Sequence, residues 1–365
     1  MTSGPAASSI GAMSSDMMTM RAAPRGRFGV GAALVVLAAL LVGSPAARAG
    51  EPDGRLLVAN AGDDTVTVYD QPANSLAATI PVGKTPRGLA VSRDGRKAWV
   101  ANHGDGTLSV IDLKSFKVIK TIRHGQMEKP RSLALTPDGR RLLVTSEGSR
   151  RLLLIDAMKD VVERSTTTAQ PDPRAVALAR GGNRAWVAHR AGDTLTILDV
   201  PALKTLKTLK VGAGPEGVAL SPNERFMLAT LGDAGMVAVI DIARLVVATR
   251  LPAGQKPGAI LFRPRSTMAL VANRGSDDVT ALDVASRQVV ATVPVGRQPV
   301  ALAINDRATR LFVANSGSSS VSVIALPGLE VTATIATGDA PSAVAFAPMP
   351  APPSNKGGAA KKKPA

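Results

Sequence analysis

Apolar and polar residues alternate in short runs along most of this chain, and a turn residue closes each run. Thr107-Leu-Ser-Val-Ile-Asp112 and Lys117-Val-Ile-Lys-Thr-Ile122 place every second residue on one face, the pattern of a half-covered β-strand. Other runs are small and apolar throughout, such as Gly88-Leu-Ala-Val91, and read as strands covered on both faces. Between Pro86 and Gly125 four such runs follow one another. The first is small and apolar, the second ends Val100-Ala101-Asn102, the third closes on Asp112, and the fourth alternates with lysine.

This unit recurs seven times at about 42 residues. A proline precedes its first strand at Pro86, Pro130, Pro173, Pro215, Pro257, Pro299 and Pro341. The acid closing the third strand recurs at Asp70, Asp112, Asp156, Asp199, Asp241 and Asp283, and Ala325 takes the seventh place. A period of this length with four strands per unit predicts an all-β, seven-bladed β-propeller of four-stranded antiparallel blades. The first strands are built from Ala, Gly, Val and Leu, as expected where seven strands converge on a channel. The fourth strands carry the lysines and are expected to face solvent. The repeat begins at a second strand, Arg55 to Asn60, and ends at a first strand, Ser342 to Phe346. The C-terminal strand is therefore expected to complete the N-terminal blade and remove two open sheet edges.

The ends differ from the repeat. Arg21, Arg25 and Arg27 precede an apolar run from Val30 to Val42, then Ala47-Arg48-Ala49, which predicts an export signal over 1–49 cleaved after Ala49. The run is short for a membrane span, so no span is expected in the mature chain. Met20-Arg21 could itself begin a conventional signal. Residues 50–347 form the propeller, and 348–365, rich in Pro, Ala and Lys, read as a disordered tail. A periplasmic or secreted monomer is expected. The chain has no cysteine, so stability rests on the core rather than on disulfides. Its net charge is +16, and the propeller stays basic without the two ends, which attracts anions over long range. Nucleic acid is disfavoured as a partner, because aromatics are 2% of the chain and none interleaves the basic positions.

The motif Val-Ala-Asn, an alternating strand closed by Asp, then Pro-Val-Gly before the marker proline resembles the YVTN family of β-propeller repeats. It stands here at Val58-Ala59-Asn60, Val100-Ala101-Asn102, Val271-Ala272-Asn273 and Val313-Ala314-Asn315, with Pro81-Val82-Gly83 and Pro294-Val295-Gly296. The resemblance covers residues 55–347, with blade three departing most at Val144-Thr145-Ser146-Glu147. It implies the propeller fold and an exported protein. The functions it implies are diverse, from adhesion modules to haem-binding propellers and propeller lactonases or lyases, because fold does not fix function.

Strand direction puts the loops before the marker prolines and after the second strands at one mouth of the channel. The residue following each proline reads Arg87, Arg131, Arg174, Glu216, Gly258, Val300 and Ser342 around the ring. Three arginines and a glutamate in one sector could clamp a carboxylate or phosphate, since guanidinium groups bind both bidentately. The alternative is local pairing with acids such as Asp172 or Glu128. His103, His124 and His189 map to the same face. The candidate ligand-binding residues are thus Arg87, Arg131, Arg174, Glu216, His103 and His189, with no metal site and no cofactor identified. The leading expectation is a non-enzymatic propeller that recognises a protein partner or a small anionic ligand. Behind it stand a lactonase- or lyase-like enzyme and a haem- or quinone-associated propeller with His189 or His103 over the pocket.

Overall fold

The computed structural model describes residues 53–349, so the expected export signal and most of the expected tail lie outside the described residues. Within them the chain forms twenty-eight strands in seven four-stranded antiparallel sheets, as the repeat predicts. Blade 1 holds Gly54–Asn60, Thr65–Gln71 and Ser75–Pro81. Its innermost strand is Pro341–Pro348, which pairs antiparallel with Gly54–Asn60 and closes the ring. Blades 2 to 7 occupy residues 86–123, 130–167, 173–210, 215–252, 257–294 and 299–336 in unbroken order.

Burial follows the polarity pattern strand by strand. Second and third strands such as Lys97–Asn102 and Thr107–Asp112 are buried almost throughout, whereas the outermost strand Lys204–Lys210 is exposed at nearly every position. The core lies between blades rather than within them. Trp99, Leu108 and Val110 of blade 2 pack against Leu142, Val144 and Leu153 of blade 3. Leu56, Val58 and Tyr69 of blade 1 meet Phe312 and Val321 of blade 7 across the closure. Each fully buried Leu or Val contributes about 1.5–3 kcal/mol, so the same side chains stabilise blades and fix their neighbours. Trp99 and Trp186 are core residues, and the Trp99 indole N–H donates to Asp160 Oδ1 at 3.0 Å.

Turn carboxylates fasten the frame. Asp112 accepts the backbone N–H groups of Lys114 and Ser115, and Asp156 those of Met158 and Lys159, so the acid that closes each of these third strands also caps the outer turn after it. The paired acids of the top hairpins staple adjacent blades. Asp64 accepts from Thr85 N at 2.7 Å, Asp277 from Gln298 N at 2.8 Å, and Asp63 from Asp339 N at 2.6 Å.

One top corner is built identically seven times. The residue before each marker proline adopts a left-handed backbone: Thr85, Lys129, Asp172, Gly214, Lys256, Gln298 and Ala340 all have φ between 49° and 65°. This conformation turns each carbonyl toward the residue after the second strand, which donates its N–H. The bonds are Ala61 to Ala340, His103 to Thr85, Glu147 to Lys129, Arg190 to Asp172, Gly232 to Gly214, Arg274 to Lys256 and Ser316 to Gln298. Backbone satisfies backbone here, so the side chains at both positions are free to vary.

Candidate functional site

The residues after the marker prolines and those after the second strands flank this corner and make two concentric rings at the channel mouth. The residues after the prolines form the inner ring, and Arg87, Arg131, Arg174 and Glu216 all line the cavity there. The second ring reads Ala61, His103, Glu147, Arg190, Gly232, Arg274 and Ser316. Charge therefore gathers on blades 2 to 6, while blades 7 and 1 present Val300, Ser316, Ser342 and Ala61. The cavity measures ≈ 280 Å³, with Leu89, Leu133, Leu302 and Val344 on its deeper walls.

Glu147 is the hub of the sector. Its Oε2 lies 3.4 Å from Arg131 Nη1, 3.7 Å from Arg174 Nη1 and 3.6 Å from His103 Nε2. Burial pushes its carboxyl up, but Arg174, Arg131 and His103 together outweigh this and hold it below its usual value. Arg174 also contacts Asp172, Nε to Oδ1, at 2.7 Å, although the two groups are not aligned as a hydrogen bond. A second cluster flanks the first. Arg190 reaches Glu216 at 2.8 Å and Asp233 at 2.6 Å, and Arg274 approaches the same Glu216 oxygen at 3.5 Å.

Cations outnumber their partners in this sector. Among the described residues Arg87 has no carboxylate within 4 Å and is exposed. Arg131, with only 22% of its side chain exposed, has a pKa lowered to about 10. Desolvation is the main cause, and the neighbouring charges of Arg174 and Arg87 add to it against the pull of Glu147 and Glu216. A half-buried guanidinium opposed by two others is a site short of negative charge, and an anionic ligand would supply it.

The expected local pairing is met for Arg131 and Arg174, through Glu147 and Asp172; Glu128 is not one of the partners. His103 joins the sector through Glu147, and its pKa is lowered, chiefly by burial and further by Arg87 and Arg131, against the pull of Glu147. His124 sits in an outer loop beside Asp105 and Arg123.

His189 does not reach the cavity. It ends the second strand of blade 4, fully buried, in the position held by Asn60, Asn102, Asn273 and Asn315 elsewhere. Neither ring nitrogen makes an aligned hydrogen bond. Burial lowers its pKa to about 4, despite the nearby carbonyls of Pro171 and Gln170 and the Asp172 carboxylate.

Arg190 and Arg274 are functional candidates that the reading of the sequence did not pick out. The signal was present, because they stand one residue after the Val-Ala-Asn position and step with the same period as the prolines. Among the described residues no group of three His, Cys, Asp or Glu side chains is arranged to hold a metal ion.

The sequence model of the family described as Cytochrome D1 heme domain matches residues 41–170, well under half of the chain. That segment carries Arg87, His103, Arg131 and Glu147. The chain is 37% identical over 71 residues to the dihydro-heme d1 dehydrogenase of Pseudomonas aeruginosa. This match covers 20% of the chain and 14% of that protein. Among solved structures, the chain is similar to the hydrazine synthase of Kuenenia stuttgartiensis, with a TM-score of 0.68 and 21% identity over 76% of this chain and 94% of that one. It is also similar to a functionally unknown protein from Desulfotomaculum acetoxidans, with a TM-score of 0.72 and 13% identity over 81% of this chain and 99% of that one. At these identities the two structures speak for the propeller fold alone.

Proposed function

We propose that this protein is an exported, haem-associated propeller that binds the carboxylate arms of a tetrapyrrole at the arginine sector of its channel mouth. The observation that carries the reading is the excess of guanidinium groups in one sector: Arg131 and Arg174 share the single carboxylate of Glu147, and Arg87 beside them has none. The match to the Cytochrome D1 heme domain and the similarity to a dihydro-heme d1 dehydrogenase support the tetrapyrrole among possible anions.

The residues fit one end of such a ligand. Arginine is the side chain suited to planar bidentate recognition of carboxylates. The cavity, ≈ 280 Å³, is at the small end for ligand pockets, so it suits carboxylate arms rather than an enclosed macrocycle. Arg131 and Arg174 would pair with the carboxylates, Arg87 would add charge at the rim, and Glu147 would hold the guanidiniums in place. His103 is the imidazole nearest the cluster, and the depression of its pKa keeps it neutral and able to ligate near pH 7. A bound haem would supply redox chemistry at iron; the propeller supplies binding, orientation and charge. The leader over 1–49, a periplasmic or secreted location, a monomeric state and the YVTN character of the repeats belong to the same proposal.

The test is a titration of the full chain with ferric haem and, separately, with iron-free protoporphyrin, followed in the Soret band. Saturable binding of both, weakened in an Arg131→Ala/Arg174→Ala variant, is the expected result. Saturable binding of neither, with citrate or phosphate raising the melting temperature through the same arginines, would favour a small anionic ligand instead.

A further inference from the structure

The opposite face of the propeller holds a larger cavity, ≈ 650 Å³, where the inner and outer turns of blades 4 to 6 meet. Its walls carry Arg180, Arg225, Arg265 and Arg287 together with Phe226 and Phe262. None of these four arginines has a carboxylate within 4 Å among the described residues, unlike Arg55, Arg141 and Arg190. Two carboxylates border the groove without lining it: Glu224 accepts the backbone N–H of Arg180, and Asp283 that of Ala285, so two anchored acids stand against four arginines.

The charge is unbalanced because the turns of these blades depart from the repeat. In blade 2 the Ser92 hydroxyl donates to Asp94, which accepts from Arg96 N at 3.2 Å. Blade 3 repeats the device with Thr136, Asp138 and Arg140 N. Blade 5 keeps the geometry with an amide: Ser221 donates to Asn223 Oδ1 at 2.8 Å, which accepts from Arg225 N at 3.1 Å. Asparagine thus forms the turn as aspartate does and removes its negative charge. Blade 6 replaces the acid altogether with Pro264-Arg265-Ser266.

The aromatics are equally uneven. The chain has six phenylalanines, and two of them line this one groove, both half-buried. The Arg225 guanidinium lies 5.1 Å from the centre of the Phe226 ring. Phe312, by contrast, is fully buried, and Phe346 stacks on it at the edge of the core. Unpaired guanidinium groups beside aromatic faces recognise flat rings that carry negative charge, by stacking on the ring and pairing with its acid groups. The volume falls within the usual range for small-molecule sites.

We infer that this groove is a second binding site, distinct from the channel mouth, for a planar aromatic or conjugated polyanion. Arg225, Arg265 and Arg287 hold its acid groups, and Phe226 and Phe262 hold its ring.

The probe is 1,3,6,8-pyrenetetrasulfonate, titrated by its own fluorescence into the full chain at low and high salt. Saturable binding is expected, weakened at high salt as charge pairing requires. An Arg225→Ala/Arg265→Ala variant, altered only at exposed turn positions, should bind at least tenfold more weakly with unchanged circular dichroism. Arg131→Ala/Arg174→Ala at the opposite mouth should leave this binding intact, which separates the two sites. Phe262→Leu should weaken pyrenetetrasulfonate but not inorganic tripolyphosphate. The proposal is overturned if the groove variant binds like wild type, if the mouth variant is the one that loses binding, or if tripolyphosphate binds as tightly as the aromatic probe.

Discussion

In blades 1, 2, 6 and 7 the second strand ends in a buried asparagine; in blades 3, 4 and 5 it ends in Ser146, His189 and Leu231. The asparagines explain much of the repeat. Asn102 Nδ2 donates to Thr107 and Ser109, both at 2.9 Å, and Asn315 does the same to Ser320 and Ser322. Their amides also press on the loop arriving from the preceding blade. A Cβ at Gly83 would sit 2.5 Å from Asn102 Nδ2, and one at Gly296 would sit 2.6 Å from Asn315 Nδ2. The glycine of one blade is therefore required by the asparagine of the next. Blade 4 has lost both halves of this pair, with Ala169 where that glycine stands and His189 where the asparagine stands.

The blades that lose the asparagine supply Arg131, Arg174, Glu216, Glu147 and Arg190 at the mouth. The top-corner backbone bond is the same in all seven blades, so the frame tolerates both sets of side chains. Blades 1 and 7 use this corner for packing, and blades 3 to 5 use it to gather charge.

The largest expected effect breaks the charged half. An Arg131→Ala/Arg174→Ala variant should lose about a hundredfold or more in haem or porphyrin affinity, since hydrogen bonds to charged groups contribute roughly 1.5–3 kcal/mol each. The corresponding change on the neutral side, Val300→Ala/Ser316→Ala, should alter affinity little. Equal losses from both would mean that the charge asymmetry is unrelated to binding.

Acid should next expose the difference at blade 4. The native pKa of His189, lowered to about 4, lies below the unfolded value of about 6.5, so the unfolded state takes up the proton first. Stability is then fully present above about pH 6.5 and falls as the pH drops toward about 4, by roughly 3 kcal/mol over the window. His103 shifts in the same direction and adds to the fall. Glu147, whose pKa is lowered, contributes stability that disappears only below the ordinary glutamate range. A His189→Asn variant should restore donors to the unpaired hydroxyls of Thr194 and Thr196 and flatten most of the acid slope. Melting temperatures between pH 7.5 and 4.5 read this directly, and an unchanged slope in the variant would assign it elsewhere.

Glu147→Gln removes the shared carboxylate from Arg131 and Arg174. It should cost about 1–2 kcal/mol in denaturant unfolding, the partly solvated site moderating the loss. Anion affinity should rise, because the ligand no longer competes with Glu147 for the same guanidiniums. Smaller still is Ser342→Ala in blade 1, where the single hydroxyl proton is donated to the carbonyl of Pro86, with that of Ala59 3.1 Å away. A loss of about 0.5–1.5 kcal/mol with unchanged ligand binding would mark this corner as structural.

The ring of seven, its closure by Pro341–Pro348, the small inner strands and the exposed outer ones are legible in the amino-acid sequence alone. They depend on local alternation and on a period, and both are written along the chain. The inner ring of charge is legible for the same reason, since Arg87, Arg131, Arg174 and Glu216 share one register after the marker prolines. The second ring carries the same period, and strand direction puts it at the same mouth, but nothing in the sequence says which of its side chains touch the first ring. Only the left-handed corner and its carbonyl bond bring Glu147 beneath Arg131 and Arg174, and Arg190 against Glu216. The burial of His189 is likewise hidden, because a strand end reads the same whether its side chain points into the channel or between two blades. The groove on the opposite face arises from turns of three successive blades that local pattern treats as separate. Distance along the chain determines which units repeat, and the packing of those units decides which charges meet.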